Sequence, residues 1–184
     1  MEESPTIKEI LYDVIRKIPE KEIQTLFESE NYSKLIERLF EKILPRITTI
    51  NGDVNEKLGI LSESMSHYIL TEMLIPSQRK IIYKNIELDI VVPELNILKN
   101  KSEDAIIIYF AKSSNIKKIQ KKINELQIIQ ENTKNIWVVL HNKVNLSCKT
   151  YLITQSESSF SDLFTDIKKI VNEKKQDKLR IFKT

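Results

Sequence analysis

The segment AIIIYFAK, residues 105–112, is a near-continuous apolar run that ends at a lysine. Such a run is typical of a central strand covered on both faces, because a half-exposed strand would alternate apolar and polar residues. The following segment, NIKKIQKKINELQIIQE, returns to helical spacing, and NIWVVLHN predicts another strand. A strand, a helix and a strand in this order imply a right-handed parallel crossover. We therefore predict an α/β or α+β domain with a mixed central sheet flanked by helices.

Helical periodicity also dominates the first 50 residues. Ser4-Pro5 predicts the start of a first helix and Pro19 that of a second, whereas Pro45 is expected to end a third, since proline disrupts helix interiors. The segment NGDVNEKLGI then contains both glycines of the chain and marks a break. We predict an acidic helical extension over residues 1–50 and an α/β domain over residues 51–184.

Between the break and the apolar run, a further helix is predicted from about Val54 or Leu61 to Leu74, with Pro76 as its stop. The segments RKIIYKN and IELDIVVPEL predict two strands joined by a tight turn. Alternation in the second strand places Glu87 and Asp89 on one face and Leu88 and Ile90 on the other. The polar segment PELNILKNKSED predicts a loop. After the crossover we expect a strand in TYLITQ, a last helix in SDLFTDIKKIVNEKK and one short strand in LRIFKT.

The charge of the chain is unevenly distributed. Residues 1–75 carry 9 basic and 14 acidic side chains, whereas residues 76–184 carry 20 basic and 12 acidic ones, and the net charge is +3. A basic C-terminal part suits an anionic partner, nucleic acid first, although a lysine-rich solvated surface gives the same count. The abundance of lysine, glutamate and isoleucine is typical of thermophiles and of AT-rich genomes.

Several classes of protein are disfavoured by the composition. Cys148 is the single cysteine, which excludes an intramolecular disulfide framework and a multi-cysteine zinc site. No apolar run reaches the ~18 residues needed to span a bilayer. The N-terminus, MEESPTIKEI, lacks the basic-then-apolar order of a signal peptide. The expectation is a soluble, cytoplasmic protein with no membrane partner.

Three charged residues are expected to converge. Glu63 lies on the predicted helix before the strands, Asp89 on the second strand, and Lys112 at the end of the apolar run. Strands adjacent in sequence often pair, so the ends carrying Asp89 and Lys112 can lie side by side, and a helix across the sheet can bring Glu63 to the same corner. A salt bridge between Asp89 and Lys112 is the structural alternative, because a buried carboxylate needs a partner.

The order and spacing of these motifs, Glu63 on a helix, IELDIVV and IIIYFAKSS, resemble the PD-(D/E)xK nuclease superfamily, which includes archaeal Holliday junction resolvases and many restriction enzymes. The resemblance covers roughly residues 58–142. It implies a restriction-endonuclease-like core, catalytic roles for Glu63, Asp89 and Lys112, and Asp89 as a ligand of Mg²⁺. Phe110 departs from the family pattern, which has a glutamate two residues before the lysine. This deletes a metal ligand and makes one wall of the pocket apolar.

Two carboxylates could replace the missing one. Glu87 is expected on the face of Asp89, and Glu125 lies on the helix after Lys112, where some family members carry the carboxylate. The cofactor expectation is therefore either none or Mg²⁺.

A lysine stripe on the same helix is the best binding signal outside the motif: Lys117, Lys118, Lys121 and Lys122. At this spacing they form one face that could follow a phosphate backbone, or simply the solvated face of an amphipathic helix. Arginine, which dominates base recognition, occurs only five times, so sequence-specific recognition is disfavoured.

Three functions follow. The leading hypothesis is a nuclease-like protein that binds DNA, or less favourably RNA, and has lost or nearly lost cleavage. The second is an active Mg²⁺-dependent endonuclease with a relocated carboxylate. The third is a non-enzymatic scaffold subunit. In the first, the N-terminal helices would serve for homodimerisation or for docking to another protein.

Overall fold

The computed structural model describes residues 6–153 and 159–181, and in the last helix it describes side chains up to residue 173. The helices are α1 (Ile7–Arg16), α2 (Glu20–Glu28), α3 (Tyr32–Ile47), α4 (Val54–Glu72), α5 (Leu95–Asn100), α6 (Ile116–Gln127) and α7 (Asp162–Ile181). The strands are β1 (Gln78–Tyr83), β2 (Ile86–Val92), β3 (Ile106–Phe110), β4 (Ile136–Leu140) and β5 (Lys149–Leu152).

The five strands form one mixed sheet in the order β1-β2-β3-β4-β5. β1, β2 and β3 pair antiparallel, whereas β3, β4 and β5 pair parallel. The predicted mixed α/β class is confirmed, and the apolar run forms the central strand. Lys84 and Asn85 make the predicted turn between β1 and β2, both with positive φ (48° and 61°), as a two-residue hairpin turn requires.

Alternate residues of the strands contribute to two separate cores on the two faces of the sheet. The α4-side core contains side chains of α1, α2, α3, α4 and α7, and from the strands Ile90, Ile108 and Phe110. The α6-side core contains Ile119, Ile123 and Leu126 of α6 together with Ile107 and Val138. α4 therefore lies between the sheet and the N-terminal helices. The division at residue 50 stays a prediction, and the N-terminal helices share the core of the sheet.

Local predictions fail where packing outweighs the sequence signal. Pro45 lies inside α3, which continues to Ile47 because that side chain is buried on the stripe of the helix. The predicted loop at 93–104 forms α5, whose Leu98 is buried, and a short 3-10 helix. α7 extends to Ile181 where a short strand was expected, and the end of that segment lies outside the described residues. Ser4-Pro5 also lies outside them, and Thr6 caps α1.

Gly59 allows α4 to approach the end of β3 closely. A Cβ atom at this position would lie 2.8 Å from the carbonyl oxygen of Ala111 and 2.9 Å from Cγ of Lys112. The nearest obstacle is backbone, which cannot rotate away as a flexible side chain can. The helix that carries Glu63 therefore needs a residue without a side chain where it crosses the loop that carries Lys112.

We expect Gly59→Ala to destabilise the protein by about 1–3 kcal/mol, because overpacking outweighs the gain in helix propensity. At an open helix position the same change would stabilise by about 1 kcal/mol. The measurement is the free energy of unfolding in denaturant, with Thr71→Ala on the exposed face of α4 as control. An increase in stability for Gly59→Ala would contradict the close approach.

Candidate functional site

The structure brings Glu63, Asp89 and Lys112 together at the corner formed by α4, β2 and the end of β3. The Lys112 Nζ atom lies 2.9 Å from Oδ1 of Asp89 and 3.0 Å from Oε2 of Glu63. The side chain of Glu63 is 0% exposed and that of Asp89 7%, whereas Lys112 retains 32% exposure. One ammonium group is thus shared by two buried carboxylates.

Asp89 occupies the point at which β2 and β3 stop pairing. The last paired residues are Ile90 and Ile108, and beyond them the N–H of Phe110 donates to Oδ2 of Asp89 at 2.9 Å. The carboxylate of Asp89 therefore accepts a hydrogen bond that a backbone carbonyl would have accepted if the two strands had continued to pair. The alternation predicted for β2 is wrong here, since Leu88 packs in the α6-side core and Ile90 in the α4-side core.

Arg79 is the site residue that the sequence reasoning missed. It lies on β1, where its Nε donates to Oε1 of Glu63 at 2.6 Å and its terminal nitrogen donates to Oγ of Ser64 at 3.0 Å. With Lys112 it brings two positive charges against two negative ones. The cluster of Glu63, Arg79, Asp89 and Lys112, called the ion cluster below, is therefore formally neutral.

The electrostatics of the ion cluster reflect burial and mutual pairing. Burial raises the pKa of Asp89, against the opposing effects of Lys112 and the Phe110 N–H. Burial alone would lower the pKa of Lys112, but Asp89 and Glu63 outweigh it, so its pKa lies above the ordinary value. Burial, followed by the charge of Asp89, raises the pKa of the neighbouring Tyr109 to about 12. Lys112 therefore stays charged across the physiological range.

The residues that could have completed a metal site lie elsewhere. Phe110 is fully buried in the α4-side core. Glu87 is exposed on β2. Oε2 of Glu125 lies 3.8 Å from Nζ of Lys122 on the same helix, α6. Among the described residues, no hydrogen bond or ion pair joins Glu87 or Glu125 to Asp89 or Lys112. The structure therefore brings together three of the five candidate site residues.

Three of the four carboxylate oxygens of the ion cluster accept a hydrogen bond, and the fourth, Oε2 of Glu63, has no hydrogen bond among the described residues but lies 3.0 Å from Nζ of Lys112. Arg79 and Lys112 contact the two oxygens of Glu63, and Lys112 and the Phe110 N–H contact those of Asp89. Within residues 6–153 and 159–173, no group of three or more His, Cys, Asp or Glu side chains is arranged to hold a metal ion. The arrangement does not fit Mg²⁺, which needs near-octahedral oxygen ligands.

The lysine stripe begins just beyond the ion cluster. Asn115 caps α6 by accepting from the N–H groups of Lys117 and Lys118, which fixes the start of the helix four residues after Lys112. Lys117, Lys118 and Lys121 are exposed and Lys122 is partly buried. In the part of the chain that the structure describes, no ion pair involves the three exposed lysines, so their charges face solvent.

No family model, curated protein or solved structure matches this chain. None of the described helices combines the length and apolarity needed to cross a bilayer.

We expect Lys112→Met to destabilise the protein by about 3 kcal/mol or more, because it leaves two buried carboxylates short of a cation. Lys17→Met is a matched control, since Lys17 pairs with Asp13 at the same 2.9 Å but is 68% exposed. That change should cost about 0.2–1 kcal/mol. Free energies of unfolding in denaturant measure both, and equal losses would show that burial adds nothing to the pairing of Lys112.

Proposed function

We propose that this protein is a nuclease-like nucleic-acid-binding protein of the cytoplasm whose Mg²⁺-dependent phosphodiesterase activity is lost or impaired. It would bind DNA in preference to RNA, through the phosphate backbone. The fold would be a variant of the PD-(D/E)xK core with its third motif altered at Phe110.

The convergence of Glu63, Asp89 and Lys112 is the observation that carries this proposal. These residues come from α4, β2 and the loop after β3, and the ammonium group of Lys112 lies within 3.0 Å of both carboxylates. They are the residues on which the resemblance rests, and separation across the molecule would have removed it. The succession of α4, three antiparallel strands, α6 and a parallel β4 also follows the order of the family motifs.

Loss of cleavage is supported by the surroundings of the carboxylates. Phe110 supplies no oxygen ligand, and its ring is buried in the α4-side core. Neither Glu87 nor Glu125 takes its place beside Asp89. Oxygen ligands would be needed to hold a divalent ion against a scissile phosphate. Here the position of the family glutamate is a buried phenylalanine, and Arg79 and Lys112 contribute two cations.

Binding to a polyanion is supported by the lysine stripe. Three exposed lysines, which have no acidic partner among the described residues, lie on the first turns of α6, a few residues after the partly exposed Lys112. Lysine interacts with phosphate as a point charge and carries little base specificity. For this reason we propose backbone binding, and we assign the acidic N-terminal helices to contacts with a second copy or another protein.

We expect the protein to bind duplex DNA with an affinity that falls steeply with salt, because each neutralised phosphate releases counterions. Lys117→Glu with Lys121→Glu should abolish most of the binding. Lys21→Glu with Lys34→Glu makes the same change in net charge on exposed positions of α2 and α3, and should leave most of it. Fluorescence anisotropy with a labelled duplex, over a series of salt concentrations, measures both.

Equal losses of DNA affinity in the two double variants would show that binding depends on net charge alone. This result would contradict the assignment of α6 as the interface. Absence of DNA binding by the wild-type protein at low salt would contradict the proposal and favour the alternative, a non-enzymatic scaffold subunit.

We expect no cleavage of supercoiled plasmid or branched DNA in the presence of Mg²⁺ or Mn²⁺. The physical reason is that the carboxylates already bind Arg79 and Lys112. Gel assays at enzyme excess provide the measurement. Cleavage that disappears in Asp89→Asn would contradict the proposal and establish the alternative, an active endonuclease with a relocated carboxylate.

A further inference from the structure

The β1–β2 hairpin lies beside a second group of lysines, at the same end of the sheet as the lysine stripe of α6. We propose that Lys84 and Lys99, held beside the ring of Tyr83, bind phosphate groups and extend the nucleic-acid interface from α6 to the hairpin. This assignment rests on the proposed function, because it gives the same polyanion a further contact surface. The three residues are called the hairpin lysine site below.

The pairing of β2 with β3 places the hairpin turn near the start of α6. The two strands are antiparallel, and their last paired residues at this end are Ile90 and Ile108. Beyond this pair β3 continues towards Lys112, while β2 leads back to the turn at Lys84 and Asn85. The hairpin turn and the loop that precedes α6 therefore lie at the same end of the sheet.

The hairpin lysine site and α6 also share one face of the sheet. Tyr83 and Leu98 of α5 pack in the α6-side core, to which α6 itself contributes. Ile86 and Leu88 contact that core as well. Because side chains alternate along a strand, Glu87 between them lies on the opposite face. The acidic side chain of the hairpin is therefore directed away from Tyr83.

Tyr83 brings two ammonium groups together. Nζ of Lys99 lies 5.3 Å from the centre of its half-buried ring, and Nζ of Lys84 lies 5.5 Å from it. These distances are within the range at which an aromatic ring attracts a cation. Both lysines are exposed, and in the described part of the chain neither takes part in an ion pair. The ring offsets only part of the repulsion between two like charges, so an anion beside them is attracted by both.

The ion cluster lies between the two lysine groups. In the strand order β1-β2-β3-β4-β5, the hairpin is on one side of β3. The strand β4, against which α6 packs, is on the other side. Lys112 follows the end of β3 and belongs to the neutral ion cluster. A phosphate backbone crossing this end of the sheet would therefore pass from the hairpin lysine site, over a neutral region, to the lysine stripe.

The test measures binding of a labelled DNA duplex to the full-length protein by fluorescence anisotropy over a series of salt concentrations. The double variant Lys84→Gln with Lys99→Gln removes both charges of the hairpin lysine site. Tyr83→Leu removes the ring and Tyr83→Phe keeps it, and neither changes the net charge. Melting temperatures establish that each variant is folded.

The chain offers a matched control in its N-terminal helices. Lys8 is exposed on α1, and its Nζ lies 6.0 Å from the ring centre of Tyr12, a contact of the same kind as those at Tyr83. Lys21 is exposed on α2. Lys8→Gln with Lys21→Gln therefore removes the same charge from the other end of the chain.

We expect the hairpin double variant to bind the duplex more weakly than the wild type. The slope of log affinity against log salt concentration should become less steep by roughly 2, since each lost lysine–phosphate contact contributes roughly 1. The control should keep the wild-type slope. Tyr83→Leu should weaken binding because the two lysines are no longer held together, and Tyr83→Phe should bind as the wild type does.

A wild-type slope in the hairpin double variant would overturn the inference, and so would an equal change in the control. In either case, loss of binding in Lys117→Glu with Lys121→Glu would still support the proposed function. Absence of binding by the wild type at low salt would overturn both. Folded Tyr83→Leu with wild-type affinity would contradict the role of the ring. If that variant does not fold, the substitutions of the two exposed lysines decide the question.

Discussion

The ammonium group of Lys112, held between the carboxylates of Glu63 and Asp89, is the interaction on which the centre of this molecule depends. It joins three elements that are distant in sequence: α4, β2 and the loop after β3. Gly59 lets α4 come close enough for the contact, and Arg79 adds β1 to the same cluster. Since α6 starts four residues after Lys112, the position of the lysine stripe also follows from it.

The fold could be predicted wherever burial imposes a period on the sequence. β3 and β4 are apolar runs and α6 has a clear apolar face, so the central crossover is readable from the chain. The period fails at Asp89, where Leu88 and Ile90 pack on opposite faces of the sheet. At this point the backbone N–H of Phe110 donates to the carboxylate of Asp89 and not to a backbone carbonyl of β2. The replacement of a backbone acceptor by a side chain cannot be read from the pattern of apolar residues.

The site could be predicted only in part, for a related reason. Motif spacing indicates which acidic and basic residues converge, but it does not indicate what neutralises them. Arg79 is the only arginine between Arg46 and Arg180, and it lies at the start of a strand that pairs with β2. Two carboxylates predicted in a buried corner with a single lysine require another cation. That requirement, applied to the strand next to Asp89, was the signal that could have identified it.

The neutral ion cluster bears directly on how an anion could approach this corner. Two unpaired carboxylates would repel a phosphate group, and in metal-dependent sites the metal ion removes that repulsion. Here Arg79 and Lys112 remove it with charges that belong to the chain. The exposed lysines at the start of α6 then add positive charge a few residues beyond Lys112, and positive charge attracts phosphate without a bound ion. Neutralisation of the two carboxylates by protein cations is thus electrostatically compatible with the proposed metal-independent binding of a phosphate backbone.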